Sequence, residues 1–386
     1  MKANVYLDNN ATTALDDRVF AAMVPVLRGI GNAGSMHIAG RAASHAVDGA
    51  RRDVADMFRA SPGEVVFTSG STEANNLALF GVCNGPAAQS RRRVVTCATE
   101  HAAILEPARA LAARGFDVVT VPVDRSGVPN ERALLEAIDN RTVLVSVMAV
   151  NNETGVRPEL QTVIGHAHDC GALVHTDATQ LAPWGGVDTD ALSVDLASVS
   201  AHKMHGPQGV GALFVRREVQ QLLHPVVFGG GQERGLRSGT LNTAGIVGFG
   251  VAAQLAVTDG EAAVARIRIL RDRLHCGLAE EIDGVLVNGH PTLRAPGTLN
   301  ISVPMVDAEA VVVSSLGVSL STGSACHAGA PGPSHVLVAM GLDEIQMEGS
   351  MRLSLSRFTT DEEVTVAIEQ LTTVIEQVKS RQLVEI

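Results

Sequence analysis

Between residues 61 and 215 the chain alternates short apolar runs with segments of helical spacing. The runs cover 65–67, 94–97, 118–121, 143–148, 173–176, 196–200 and 211–215. Most are apolar at every position, as expected of strands covered on both faces. The stretches 73–82 and 160–168 carry helical spacing. Strand alternating with helix predicts an α/β domain around a mainly parallel mixed sheet.

Past residue 259 the pattern changes. Residues 260–282 read as a long amphipathic helix with Ile267, Leu270, Leu274 and Leu278 on one face. Strand-like 285–287 and 299–303 follow. A last helix from Asp361 is announced by Thr360 and Glu363 in a capping box and continues through the stripe Val364, Ile368, Leu371, Ile375, Val378. The expected division is a large domain over 13–258 and a smaller α+β domain over 259–386, with residues 1–12 packing on the smaller one.

Polar residues gather just after the predicted strands: Ser69 to Thr72, Glu100-His101, Asn151-Asn152-Glu153, Asp177, and Ser200 to Lys203. Ligands of open α/β sheets lie at the carboxyl ends of the strands, so these clusters describe one site. Thr68-Ser69-Gly70-Ser71-Thr72 ends a strand and opens a helix; it reads equally as a phosphate cradle or as an ordinary N-cap. It is not a P-loop, because no Gly-Lys-Ser/Thr follows at the required spacing. Asp177, ending a buried strand, needs either a cationic partner or a capping role. Lys203, before a glycine-rich loop, suits a Schiff-base amine. His202 and His205 at i, i+3 have no third ligand placed in sequence, which argues against a metal site.

A net charge of -11 disfavours general nucleic-acid or membrane-surface binding, and Arg91-Arg92-Arg93 reads as a solvated loop before a strand. No apolar run reaches the ~18 residues of a membrane span, and the N-terminus reads as no signal peptide, so a cytoplasmic protein is expected. The five cysteines are scattered with no C-x-x-C pair, which suits reduced thiols, most of them core residues. Cys326 differs. It lies in a Gly- and Pro-rich run over 321–333, the composition of an exposed loop.

Asp177 and Lys203 beside a phosphate cradle fit pyridoxal 5'-phosphate (PLP) better than a nucleotide. Here the chain resembles fold-type I PLP enzymes of the class V aminotransferase group, and more narrowly the NifS/IscS-type cysteine desulfurases. The motifs that carry the resemblance run nearly end to end. They are Tyr6-Leu7-Asp8-Asn9 with Ala11-Thr12-Thr13, Gly31-Asn32 with Ser35 and His37, Thr68-Ser69-Gly70, Glu100-His101, Asn151-Asn152-Glu153, Asp177-Ala178-Thr179-Gln180, His202-Lys203, Arg237-Ser238-Gly239-Thr240 and Ser324-Ala325-Cys326.

The resemblance implies roles. Lys203 would hold the cofactor and move the α-proton, and His101 would stack on the ring and transfer protons. Asp177 would pair the ring nitrogen and Gln180 the phenolic oxygen. Ser71, Thr72, Ser200 and His202 would hold the phosphate. Thr240 would reach the partner subunit's phosphate, which implies a homodimer. Asn152 and Arg352 would bind the carboxylate of L-cysteine, and Cys326 would take the sulfur as a persulfide for an acceptor protein. The loop length resembles the group with a long catalytic loop.

Departures from the family pattern are Asn10 and Ser71 at positions usually small, Ala201 for a glycine, and His327, Gly329 and Pro331-Gly332 after Cys326. The chain also stops soon after its last helix, shorter than members that dock an iron–sulfur scaffold. These features leave the acceptor and its pathway open, whether iron–sulfur assembly, tRNA thiolation, cofactor synthesis or DNA sulfur modification. The alternatives are a selenocysteine lyase or another class V aminotransferase, and, from another class, a non-catalytic sulfur carrier or assembly subunit.

Overall fold

The computed structural model describes residues 4–322 and 332–382. The strands, in chain order, are β1 (Val5–Tyr6), β2 (Val65–Thr68), β3 (Arg93–Cys97), β4 (Asp117–Val121), β5 (Thr142–Ser146), β6 (Leu173–Asp177), β7 (Leu196–Ser200) and β8 (Gly211–Val215). After them come β9 (Leu286–Val287), β10 (Thr298–Ser302), β11 (Val318–Ser319), β12 (Ser321–Thr322) and β13 (Ser350–Ser354).

Every apolar run identified between 61 and 215 is a strand of one sheet, in the order β2-β8-β7-β6-β5-β3-β4. β8 runs antiparallel to both neighbours and the other pairings are parallel, so the sheet is mixed and mainly parallel as expected. Because β2 and β7 both oppose β8, they point the same way, and the carboxyl ends of β2, β3, β5, β6 and β7 share one edge. Both faces of the sheet are covered. One packs on a cluster with Val95, Val145, Val199 and Phe214, the other on a cluster with Val66, Val94, Leu144 and Leu213.

The strands β12, β13, β10 and β9 form an antiparallel sheet. It packs on the helices Glu261–Glu281 and Asp361–Gln382 through a core that includes Ile267, Leu270, Leu274, Leu278, Leu299, Leu371 and Ile375. Val5 and Leu7 join this core, and β1 pairs with β11. The predicted capping box is present. The Thr360 N–H donates to Glu363 Oε2 at 2.8 Å, and the Glu363 N–H to Thr360 Oγ1 at 3.1 Å.

Three expectations needed correction. Cysteines are less uniformly core than their scatter suggested: Cys83 and Cys97 are buried, Cys170 is half-buried and Cys276 is exposed. The long helix begins at Glu261, because residues 256–260 form a π turn that joins it to the preceding helix. The run Arg91 to Arg93 is tied down more than a solvated loop would be, with Arg93 bridging Asp117 and Asp139.

Candidate active site

Six of the predicted site residues line one cavity at the carboxyl edge of the large sheet: Ser71, His101, Asn152, Asp177, Gln180 and Lys203. Topology explains the convergence, since the six end or follow five different strands, Asp177 and Gln180 both belonging to β6. Lys203 stands in a single 3-10 turn, Ala201–Lys203, directly after β7. Its Nζ donates to Asn10 O at 2.5 Å and Ala11 O at 2.7 Å. Gln180 Nε2 donates to the same Asn10 carbonyl at 3.0 Å.

Asn10 was noted in the sequence only as a departure from the family pattern. Its backbone turns out to hold Lys203, while its Nδ2 donates to Asn152 O and Thr298 Oγ1. One residue near the chain start thereby joins the lysine to the turn carrying Asn152.

Asp177 is buried at the end of β6. Asn75 Nδ2 donates to its Oδ2 at 2.7 Å and the Thr179 N–H to its Oδ1 at 3.0 Å. Asn75 is fully buried and received no role from the sequence. A signal existed: it lies four residues after Ser71 in the helix Ser71–Cys83, on the same face.

That helix starts at Gly70 with no side-chain cap. By contrast, Asp16, His101 and Asn130 cap the starts of other helices. Its first N–H groups therefore remain available to an anion at the sheet edge. The approach there is close: a Cβ on Gly211 would sit 2.7 Å from Gly70 Cα. Ser200 is buried and faces Gly70. Thr72 opens onto a shallow exposed groove with His101. His202 Nδ1 lies 3.1 Å from Thr12 Oγ1, and burial together with the charge of Lys203 lowers its pKa to about 4, so the ring is neutral. Thr240 lies on the surface.

His101 serves as the N-cap of the helix Ala102–Ala113, its Nδ1 accepting the Ala103 N–H at 3.0 Å. An accepting Nδ1 carries no proton, so the neutral ring holds its proton on Nε2. The neighbouring Glu100 is fully buried. Its Oε1 accepts the Met148 N–H at 2.6 Å, and burial pushes its carboxyl well above the ordinary range.

Arg352, on β13, is completely buried. Its Nη2 pairs with Asp8 Oδ1 at 2.7 Å and its Nη1 donates to Asn152 O at 3.2 Å. The turn 151–153 is also tied to the helix His335–Ala339. Ser334 Oγ donates to Glu153 and accepts the N–H groups of Val336 and Leu337. His335 Nε2 donates to Glu100 O at 2.8 Å. Cys326 lies outside the described residues.

The chain belongs to the aminotransferase class-V family, which it matches over residues 5–366. Within that family it is 45% identical over 370 residues to cysteine desulfurase IscS of Anaeromyxobacter dehalogenans (strain 2CP-C), covering 95% of this chain and 91% of that protein. Among solved structures, a NifS-like protein superposes with a TM-score of 0.90 at 37% identity, over 97% of this chain and all of that one. SspA in complex with cysteine superposes with a TM-score of 0.81 at 32% identity, over 93% of this chain and 100% of that chain. The resemblance to NifS/IscS-type enzymes drawn from scattered motifs therefore holds across the fold.

Proposed function

We propose that this protein is a PLP-dependent cysteine desulfurase that converts L-cysteine to L-alanine and leaves the sulfur as a persulfide on Cys326. The observation that carries the reading is the convergence of Lys203, Asp177, His101 and Asn152 on one cavity beside an uncapped helix start. A non-catalytic sulfur carrier would have no use for that arrangement.

The donor set fits PLP. The open N–H groups after Gly70, with Ser71, Thr72, Ser200 and His202 nearby, suit a phosphate. Asp177, held by Asn75 and Thr179, suits a protonated ring nitrogen, and Gln180 suits the phenolic oxygen. When bound, PLP supplies a carbonyl that condenses with amines and a ring that accepts the electron pair left by a departing α-proton.

The protein's own groups do the rest. Lys203 would hold the cofactor, and its Nζ would take the α-proton of cysteine. His101 holds its proton on Nε2 for transfer at the other end of the reaction. Arg352 and Asn152 orient the substrate carboxylate, with Asp8 fixing the guanidinium. The Cys326 thiolate attacks the substrate sulfur. An S–S bond forms as the Cβ–S bond breaks, the bonding pair stays with carbon, and protonation completes alanine. The persulfide then passes to a thiol of an acceptor protein.

A homodimer is part of this reading. Ile30, Met36, Ile38 and Phe228 are each at least 79% exposed in the single chain, which favours a covering subunit, and surface Thr240 would reach its partner's phosphate. Two domains, 13–258 and 259–386 with residues 1–12 on the latter, and a cytoplasmic location complete the proposal. Among the described residues no helix is long and apolar enough to cross a membrane.

The test is chemical. Protein purified with PLP and treated with borohydride is expected to carry the cofactor on the peptide containing Lys203, and a Lys203→Ala variant on none. With L-cysteine and dithiothreitol it should release alanine and sulfide in equal amounts. A keto acid in place of alanine would identify a transaminase instead.

A further inference from the structure

A second uncapped helix start lies away from this site. The helix Gln161–Asp169 begins after Leu160, which offers no side-chain cap. It opens into a cavity of about 330 Å³, within the range of small-ligand sites, whose rim includes Arg157, Arg268 and Arg294. The cavity also includes Thr176, not Asp177. Adjacent strand residues face opposite sides of a sheet, so this pocket is separate from the one holding Lys203.

The charges here are unbalanced. The Arg294 side chain is only 10% exposed, and its Nε has no hydrogen-bond partner. Its Nη2 reaches Asp272 Oδ1 at 3.4 Å. That same oxygen already accepts Arg271 Nε at 2.9 Å and Nη2 at 2.6 Å, and the Arg271 side chain is 5% exposed. Two buried guanidiniums thus share one carboxylate oxygen. Arg157 and Arg268 add two exposed cations, and Glu159 at the rim supplies one anion. A buried cation with an empty donor is costly unless an anion completes it.

We propose that this cavity is a binding site for a small phosphate-bearing anion, held by Arg294, Arg157, Arg268 and the first N–H groups of the helix Gln161–Asp169. Guanidinium forks and helix N–H groups approach from several directions, which suits a tetrahedral phosphate better than a planar carboxylate. In a chain of net charge -11 the cluster is a local exception that would draw such a ligand out of solution.

Calorimetric titration of the cofactor-loaded protein with inorganic pyrophosphate tests this, against sodium chloride of matched ionic strength. Filling the Lys203 site with its own cofactor removes the competing phosphate cradle. Saturable binding of one pyrophosphate per chain is expected. Arg294→Gln should weaken it at least about tenfold, the scale of one lost charge-assisted hydrogen bond. Arg157→Gln with Arg268→Gln should do likewise, and since both residues are exposed the fold does not depend on them. The proposal fails if no saturable heat exceeds the salt control, or if the double variant binds like the parent. Citrate binding as tightly as pyrophosphate would overturn the phosphate assignment. None of these outcomes depends on whether the protein desulfurates cysteine.

Discussion

Glu153 offers a quantitative check on the core of the site. It is 1% exposed, and burial pushes its pKa up to about 7, against a Ser334 hydrogen bond and the charge of Arg352, which both pull it down. Its ordinary value is 4.5. Between the two values the folded protein holds a proton that the unfolded chain has released. Stability from this group is therefore greatest at acid pH, falls as pH rises through that window, and levels off above it. The gap from 4.5 to about 7, at ~1.4 kcal/mol per pH unit, amounts to about 3 kcal/mol. Glu153→Gln keeps the shape and an acceptor for Ser334 but cannot ionise. Urea unfolding of parent and variant from about pH 5 to about pH 8 should show the variant gaining about 2.5 kcal/mol relative to the parent across that range, the remainder falling below pH 5. Taking the difference cancels the other titrating groups, including the buried histidines whose pKa values are lowered. A difference that stays flat with pH would refute the burial argument for Glu153.

The remaining expectations concern the cofactor and substrate contacts. Asn75→Ala removes a donor to buried Asp177; losing a hydrogen bond to a charged group costs roughly 1.5–3 kcal/mol, so PLP release, followed by its absorbance, should be at least about tenfold more favourable. His101→Asn keeps a good N-cap but loses the proton carrier, so kcat should fall by about 10²–10⁴ while thermal stability is nearly unchanged. Arg352→Lys retains the charge and loses the fork that meets Asp8 and the substrate, so KM for cysteine should rise about tenfold or more with PLP content unaffected.

Much of the large sheet was legible because its strands are buried on both faces and so appear as unbroken apolar runs. That Lys203, Asp177 and His101 would meet at one edge was legible because the carboxyl ends of parallel strands converge there. What escaped the sequence was pairing at long range. Asp8 meets Arg352 across 344 residues, and Ser334 meets Glu153 across 181. No local pattern encodes such partners, because they are set by how the N-terminal segment lies along β13 and how the helix His335–Ala339 sits against the turn 151–153. Asn10 escaped for another reason: its backbone carbonyl does the work, and a backbone atom leaves no mark in a motif. Arg294 was likewise silent, since only folding reveals that it shares Asp272 with Arg271.

The central claim is that sulfur moves to Cys326. The direct measurement is intact mass of the PLP-loaded protein after brief exposure to L-cysteine without reductant, with peptide mapping and alanine quantified in the same sample. The account predicts one added sulfur atom per chain, located on Cys326, matched by one alanine, and neither product from Cys326→Ala although that variant retains bound PLP. Alanine released by Cys326→Ala at the parent's rate, or added sulfur mapping to Cys276 or Cys170, would contradict it.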